Sequence, residues 1–197
     1  MKVLGITGGI GSGKSVVSKL LEMHGIPVYN TDKAAAVLSN FSVAIRKKLS
    51  ERFGESIYAE GLLNRILLAS LIFNDSDALA FVNSVIHPAV QEDFLEWKTA
   101  HSDCKLAGIE SAILFESGLA RFVDVTINVS APLDKQIQRT QKRNNLNREE
   151  ILNRINRQMS DTMRSDLVDY ILINDNEQAL IPQVESLLKR IESQDFV

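Results

Sequence analysis

Residues 8–15 read GGIGSGKS and fill every fixed position of G-x-x-x-x-G-K-[ST], the pattern of a loop that cradles nucleotide phosphates. The apolar run VLGIT at residues 3–7 precedes this loop and is typical of a buried parallel strand. Helical spacing of apolar residues follows from Val16 to Met23. A glycine-rich turn can arise by chance, but a strand before it and an amphipathic helix after it favour phosphate binding.

The residue types in this loop suit a nucleoside triphosphate. Glycines let successive backbone N–H groups turn inward without a Cβ clash, and the next helix adds the positive end of its dipole. Lys14 supplies a charge for the β- and γ-phosphates, and the Ser15 hydroxyl is placed to bind Mg²⁺. We therefore expect a nucleoside triphosphate as co-substrate, together with Mg²⁺. The predicted nucleotide-binding residues are Gly9, Ile10, Gly11, Ser12, Gly13, Lys14, Ser15 and Val16.

Four further apolar runs complete a predicted sheet, because each is followed by polar or turn residues and then by a helical pattern. The strand–helix–strand order implies right-handed crossovers between parallel strands. We predict an α/β fold with a P-loop NTPase core, in which helices flank a five-stranded parallel sheet. The four runs lie at residues 26–29, 106–115, 123–129 and 169–173.

Two insertions interrupt this core. Residues 38–104 show helical spacing almost throughout, which predicts a helical substrate-binding subdomain; within it, Pro88 should kink or restart a helix. Residues 140–166 are polar and basic, and we interpret them as a helical lid. The predicted nucleotide-binding core then comprises residues 1–37, 105–139 and 167–197.

Composition excludes several classes of protein. The chain has 197 residues, of which 45% are hydrophobic and 24% charged, as is usual for a globular protein. A net charge of −3 predicts neither a nucleic-acid nor a membrane partner. A single cysteine, Cys104, cannot form an internal disulfide. Since no long apolar segment follows Met1, we expect a cytoplasmic protein. We also expect a monomer or a weak homo-oligomer.

Two carboxylates are candidates for the chemistry. Asp32 follows the second predicted strand, at the sheet edge where open α/β proteins bind ligands, and it could act as a base or as a magnesium ligand. The alternative is that it caps the helix beginning at Lys33; both roles can hold at once, and we favour the catalytic one. Glu110 lies inside the third predicted strand, where a buried carboxylate is costly unless a metal–phosphate site compensates it. Glu116, after the same strand, fits a surface residue better.

Basic residues concentrate between Lys135 and Arg164. Among them Arg139 and Arg143 are spaced i, i+4 and share one face of a predicted helix. Two guanidinium groups there could neutralise charge on a transferring phosphoryl group while a closing flap excludes water. The alternative is a solvated charged helix, which we retain for Arg148, Arg154 and Arg157.

Taken together, these residues resemble the dephospho-CoA kinase family over nearly the whole chain. The shared segments are the phosphate loop TGGIGSGKS at 7–15, VYNTDKAA at 28–35, GLLNR at 61–65, IFN at 72–74, IHP at 86–88, ILFE at 113–116, Arg139 with Arg143, and DYILIND at 169–175. Only the phosphate loop is specific by itself, but the combination in this order and spacing is highly specific.

The resemblance implies transfer of the ATP γ-phosphate to the ribose 3′-hydroxyl of dephospho-CoA, the last step of coenzyme A biosynthesis. By position it implies that Asp32 is the general base and that Arg139 and Arg143 belong to the lid. Arg65 and His87 fall on family-like positions near the expected acceptor site, although Arg65 could be a surface ion-pair residue and His87 a residue at a helix break. Asn174 would help shape the adenine pocket.

Two departures from the family pattern affect these roles. The first acid of the usual D-x-D is Asn30 here, which cannot act as a base and concentrates the expected chemistry on Asp32. The proline that usually precedes L-L-F-E is Ala112 here, which removes no charged group.

Two other functions remain open at this stage. A nucleoside monophosphate kinase or a sugar-acid kinase would share the core and the lid. A GTPase is remote, because the chain contains neither N-K-x-D nor D-x-x-G.

Overall fold

The computed structural model describes residues 1–144 and 147–193. Residues 145–146 of the predicted lid and 194–197 of the predicted core lie outside the described residues. The chain divides into two compact units. One unit comprises Met1–Tyr29 and His101–Val197, and the other comprises Asn30–Ala100.

The first unit is built on a five-stranded parallel sheet, which confirms the predicted fold class. The strands stand in the order Val28–Asn30, Leu106–Glu110, Lys2–Thr7, Val125–Ser130 and Tyr170–Ile173, so the strand that feeds the phosphate loop lies at the centre. Register is regular, with Leu4 opposite Val125 and Ile6 opposite Ile127. The strands are β1 (Lys2–Thr7), β2 (Val28–Asn30), β5 (Leu106–Glu110), β6 (Val125–Ser130) and β7 (Tyr170–Ile173).

Five helices and a short 3-10 helix belong to this unit within the described residues. The 3-10 helix spans Leu119–Phe122. The helices are α1 (Lys14–Met23), α6 (Leu133–Asn144), α7 (Arg148–Asn156), α8 (Asp161–Ser165) and α9 (Leu180–Ser193), and α2 (Thr31–Phe41) follows β2 directly into the second unit.

The core of the first unit explains why its helices form where they do. Leu4, Ile6 and Ile127 are fully buried in the sheet. They belong to one cluster with apolar residues of α1 and α9, where apolar side chains recur at helical spacing and so share one face. Helix α1 ends in a Schellman motif, in which the N–H of Ile26 donates to Leu21 O at 3.1 Å and Gly25 adopts φ 76°. The loop before α1 is thus held between buried elements on both sides.

The second unit is mainly helical, as the sequence predicted, but it also contains a two-stranded antiparallel hairpin that the sequence did not reveal. The hairpin is formed by β3 (Tyr58–Ala59) and β4 (Leu62–Leu63), and its turn places Glu60 and Gly61 at positive φ. The helices are α2 (Thr31–Phe41), α3 (Val43–Phe53), α4 (Arg65–Ile72) and α5 (Ser76–Ala100), with a 3-10 helix at Glu55–Ile57.

Helix α5 runs through Pro88 without a break, so the restart allowed for by the sequence does not occur. Proline removes one backbone donor from a helix, but burial of the apolar face on both sides outweighs that loss. Val82 and Val85 before the proline, and Val90 and Phe94 after it, are all buried.

Among the described residues, no helix combines the length and the apolar character needed to cross a bilayer.

Candidate active site

The phosphate loop leaves β1 at Thr7 and enters α1 at Lys14. Gly11 and Gly13 adopt φ values of 74° and 102°, a region that side chains other than glycine rarely enter. The Lys14 ammonium donates to Gly8 O at 2.9 Å and to Gly9 O at 3.1 Å, so it lies across the start of the loop. Because α1 begins at Lys14, the positive end of its dipole lies at the same loop.

The packing around the loop tests whether a phosphate cradle fits. A Cβ at Gly8 would lie 2.5 Å from Val129 O and 2.6 Å from Ser12 Oγ, and a Cβ at Gly13 would collide with Asn174 Nδ2. These positions therefore admit only glycine, as a loop with inward-facing amides requires. The hydroxyl oxygens of Thr7 and Ser12 are buried and have no hydrogen-bond partner within the described residues. The residues present fit an anionic ligand such as a nucleotide phosphate.

Arg139 and Asn174 bind the outer side of this loop. Arg139 Nη1 lies 3.4 Å from Gly11 O and 3.3 Å from Ser12 O, and its Nη2 donates to Asn174 O at 2.9 Å and to Asn176 Oδ1 at 2.6 Å. Asn174 Nδ2 in turn donates to Ser12 O at 2.7 Å. A charged donor shared among loop carbonyls fixes the loop conformation, because such hydrogen bonds are the stronger ones.

Arg143 differs from its neighbour on α6. Its side chain is exposed and makes no hydrogen bond or ion pair with the residues that the structure describes. Of the two predicted lid arginines, one therefore binds the phosphate loop, and the other extends into solvent.

Glu110 is the last residue of β5 and is half-buried. Its Oε2 lies 2.8 Å from the Ser18 hydroxyl, which is also 3.1 Å from Lys14 O. Glu110 is thus joined to the first turn of α1, near the loop residues that should bind phosphate and metal.

Asp32 is exposed at the second position of α2. This helix begins at Thr31, whereas the sequence suggested a start at Lys33. The N-cap is Asn30, whose side chain accepts a hydrogen bond from Lys33 N at 2.9 Å. The alternative in which Asp32 caps the helix is therefore wrong, and the departure from D-x-D at position 30 preserves a good capping residue. Asp32 has no capping role in this helix.

Arg65 and His87 both lie in the second unit. Arg65 is exposed at the start of α4, whose N-cap Asn64 accepts from Leu67 N at 3.0 Å. His87 is half-buried in the middle of α5, and burial lowers the pKa of its imidazole from the usual 6.5. His87 is thus a continuous part of a helix, and not a residue at a helix break.

The sequence did not single out a group of side chains that joins the segment between α7 and α8 to the sheet. Arg164 is fully buried; it donates to Met159 O at 2.6 Å and pairs with Asp161 Oδ1 at 3.4 Å. Burial lowers the pKa of Arg164, and the carboxylates of Asp161 and Glu116 oppose that shift. Asp161 also accepts a hydrogen bond from the Ser130 hydroxyl at the end of β6.

A residue of this segment also reaches the phosphate loop, since Gln158 Oε1 accepts from Ile10 N at 3.0 Å. The contact joins residues 148 positions apart, and nothing in local periodicity indicates it. A pair of unlike residue types, a glutamine and an apolar loop residue, gives no sequence signal for such a bond.

No group of three or more His, Cys, Asp or Glu side chains could hold a metal ion within the described residues. Magnesium in phosphoryl-transfer sites is held by one or two protein ligands together with substrate phosphates and water. A site of that kind needs no cluster, and the exposed Ser15 at the start of α1 suits it.

Comparison with known proteins shows which family the chain resembles in sequence and in fold. The family model described as dephospho-CoA kinase matches residues 2–179. A dephospho-CoA kinase of Bacteroides fragilis is 45% identical over 186 residues, which cover 94% of this chain and 90% of that protein. A crystal structure from Thermus thermophilus superimposes with a TM-score of 0.83 at 32% identity, covering 98% and 97% of the two chains. The dephospho-CoA kinase of Campylobacter jejuni shares the fold, with a TM-score of 0.63 at 19% identity and coverage of 96% and 97%.

Proposed function

The chain belongs to the dephospho-CoA kinase family, and from that membership we propose that it transfers the γ-phosphate of ATP to the ribose 3′-hydroxyl of 3′-dephospho-CoA. The bond from the γ-phosphorus to the β,γ-bridging oxygen breaks as the bond to the ribose oxygen forms, which gives CoA and ADP. The proton of the attacking hydroxyl goes to a base. The structural observation that best supports this proposal is the phosphate loop, in which positions that admit only glycine place Lys14 at the start of α1.

Lys14 and the loop amides are inferred to bind the phosphates. The Lys14 ammonium already lies at the start of the loop, beside Gly8 O and Gly9 O, where it can reach the β- and γ-phosphates. Magnesium, when bound with the nucleotide, would neutralise charge on the β- and γ-phosphate oxygens. Ser15 is the inferred direct ligand, and Asp32 and Glu110 are candidates to hold the metal directly or through water.

We infer that Asp32 is the general base. Three features support this role: its carboxylate is exposed, the adjacent Asn30 performs the capping, and the chain leaves a strand of the parallel sheet two residues before it. Such a strand end is where open α/β sheets bind their ligands.

Arg143 is the better candidate for a cation that closes on the transferring phosphoryl group, because it is exposed and makes no hydrogen bond or ion pair within the described residues. Arg139 would act by fixing the phosphate loop, and Asn174, joined to both, would border the nucleotide. The segment 140–166 would then serve as the lid, and Arg65 and His87 of the helical unit would bind dephospho-CoA.

A net charge of −3 and a pI near 5.7 give no support for a nucleic-acid partner. We further propose that the protein is cytoplasmic and acts as a monomer or a weak homo-oligomer. Size-exclusion chromatography with light scattering measures the oligomeric state directly.

An acceptor panel tests the reaction. ADP release should require dephospho-CoA and Mg²⁺, and ATP should support it. Strong turnover with adenylate or gluconate and none with dephospho-CoA would assign the chain to another small-molecule kinase.

The role of the base is tested by Asp32→Asn, which should retain nucleotide binding and lose about 10²–10⁴-fold in kcat. Asp77→Asn is the matched control, because Asp77 is likewise an acidic residue in the first turn of a helix of the same unit. If both variants keep near-normal kcat, the base is another group.

A further inference from the structure

One peptide group of the phosphate loop is held at both ends. The carbonyl of the Gly9–Ile10 peptide accepts a hydrogen bond from the Lys14 ammonium at 3.1 Å. The N–H of the same peptide donates to Gln158 Oε1 at 3.0 Å. The same carbonyl also accepts from Ser12 N at 3.1 Å. Gln158 thus holds the N–H end of this peptide, and the Lys14 ammonium is bonded to its carbonyl end.

Gln158 is itself held in place by its neighbours. The next residue, Met159, donates its N–H to Glu116 Oε1 at 3.2 Å, and its carbonyl accepts from Arg164 at 2.6 Å. Arg164 is fully buried and paired with Asp161, which is bonded to the end of β6. A side chain directly before such an anchored residue loses little further freedom when it binds the loop.

We propose that Gln158 is a positioning residue for phosphoryl transfer, which fixes the Gly9–Ile10 peptide and, through it, the Lys14 ammonium on the γ-phosphate side of the loop. The proposal rests on the proposed kinase function but concerns nucleotide binding alone. Glu116 contributes by anchoring Met159. A glutamine suits this position because it accepts a hydrogen bond from Ile10 N without bringing negative charge to a triphosphate site.

A charged residue at position 158 distinguishes a role in nucleotide binding from a role in loop stability alone. A glutamate at position 158 keeps an oxygen acceptor for Ile10 N. If the hydrogen bond served only to stabilise the loop, Q158E would therefore behave like the wild type. Near a triphosphate, however, its charge opposes binding, because like charges a few ångströms apart repel strongly where solvent is restricted. The repulsion should be larger for a triphosphate than for a diphosphate.

The experiment measures the affinity of purified variants for ADP and for a non-hydrolysable ATP analogue with Mg²⁺, by calorimetry in the absence of any acceptor. Q158A should weaken analogue binding about 3–10-fold, the range expected for one net hydrogen bond, and should weaken ADP binding less. Q158E should weaken analogue binding more than Q158A does. The control is Q138A, which changes an exposed glutamine of α6 and should match the wild type.

The anchor is tested in the same assay. Glu116→Ala should weaken analogue binding in the same direction as Q158A, and Glu116→Gln, which keeps an acceptor for Met159 N, should restore it. The proposal is overturned if Q158A binds the analogue as Q138A does, if Q158E restores binding, or if ADP and analogue affinities fall equally alongside a loss of thermal stability. Because these affinities are measured without an acceptor, they can be interpreted even if the protein does not phosphorylate dephospho-CoA.

Discussion

Gly13 and Asn174 offer a quantitative test of the phosphate-loop geometry. A Cβ built on Gly13 meets two atoms within 4 Å, and both belong to Asn174: Nδ2, with which it collides, and Cγ at 3.3 Å. Gly13 also has a φ of 102°. Gly13→Ala therefore carries a backbone penalty and a steric penalty, and only the second depends on Asn174.

The two penalties differ in size and in origin. Placing alanine at this φ costs about 1–2 kcal/mol in the free energy of unfolding. The collision with Asn174 adds about 1–3 kcal/mol, whether the side chains distort or Asn174 rotates and gives up its bond to Ser12 O. Asn174→Ala alone loses that hydrogen bond, at about 1 kcal/mol.

A double-mutant cycle isolates the collision. Urea unfolding of the wild type, the two single variants and the double variant is followed by far-UV circular dichroism. The double variant should be less destabilised than the sum of the singles by about 1–3 kcal/mol, because removing the Asn174 side chain leaves the new methyl group in open space. A coupling below about 0.5 kcal/mol, the usual limit of additivity, would refute the packing of Asn174 against Gly13.

Three further perturbations test other parts of the molecule. Arg164→Ala should lower the free energy of unfolding by about 3–5 kcal/mol, because it leaves Asp161 without its buried partner, and urea titration measures this. Asn30→Ala should cost about 1 kcal/mol in the same measurement while Asn30→Asp costs little, since aspartate also caps helices. Burial depresses the pKa of His87 in the folded state, so the unfolded chain takes up the proton more readily. The contribution of His87 to stability should be full above about pH 6.5 and should fall as the pH drops through that value. His87→Gln should reduce this pH dependence.

Features that depend on neighbouring residues could be predicted from the sequence. The phosphate loop was predicted because glycines at fixed spacing, a strand before them and a helix after them all lie within one short stretch. The strands of the parallel sheet were predicted in number and in place, because each lies in a short, mainly apolar run. The exact ends of the strands were predicted less well. The strand in the third apolar run ends at Glu110, and not at residue 115.

Elements that depend on competition between forces were harder to predict. Helix α5 continues through Pro88 because burial on both sides outweighs one lost backbone bond, and that burial is a property of the packed unit. The hairpin at residues 58–63 has strands of two residues each, too short for alternation to show in a sequence.

By itself, the sequence determined that this chain has a phosphate loop at residues 8–15, a parallel sheet around it and an aspartate directly after the second strand. Only the tertiary structure decided that Arg139 binds the outer side of that loop, that Asn30 rather than Asp32 caps α2, and that Gln158 holds the Gly9–Ile10 peptide. The physical reason is distance along the chain. A hydrogen bond between residues 148 positions apart leaves no periodicity or spacing to detect, and it exists only once buried groups such as Arg164 have fixed the backbone beside it.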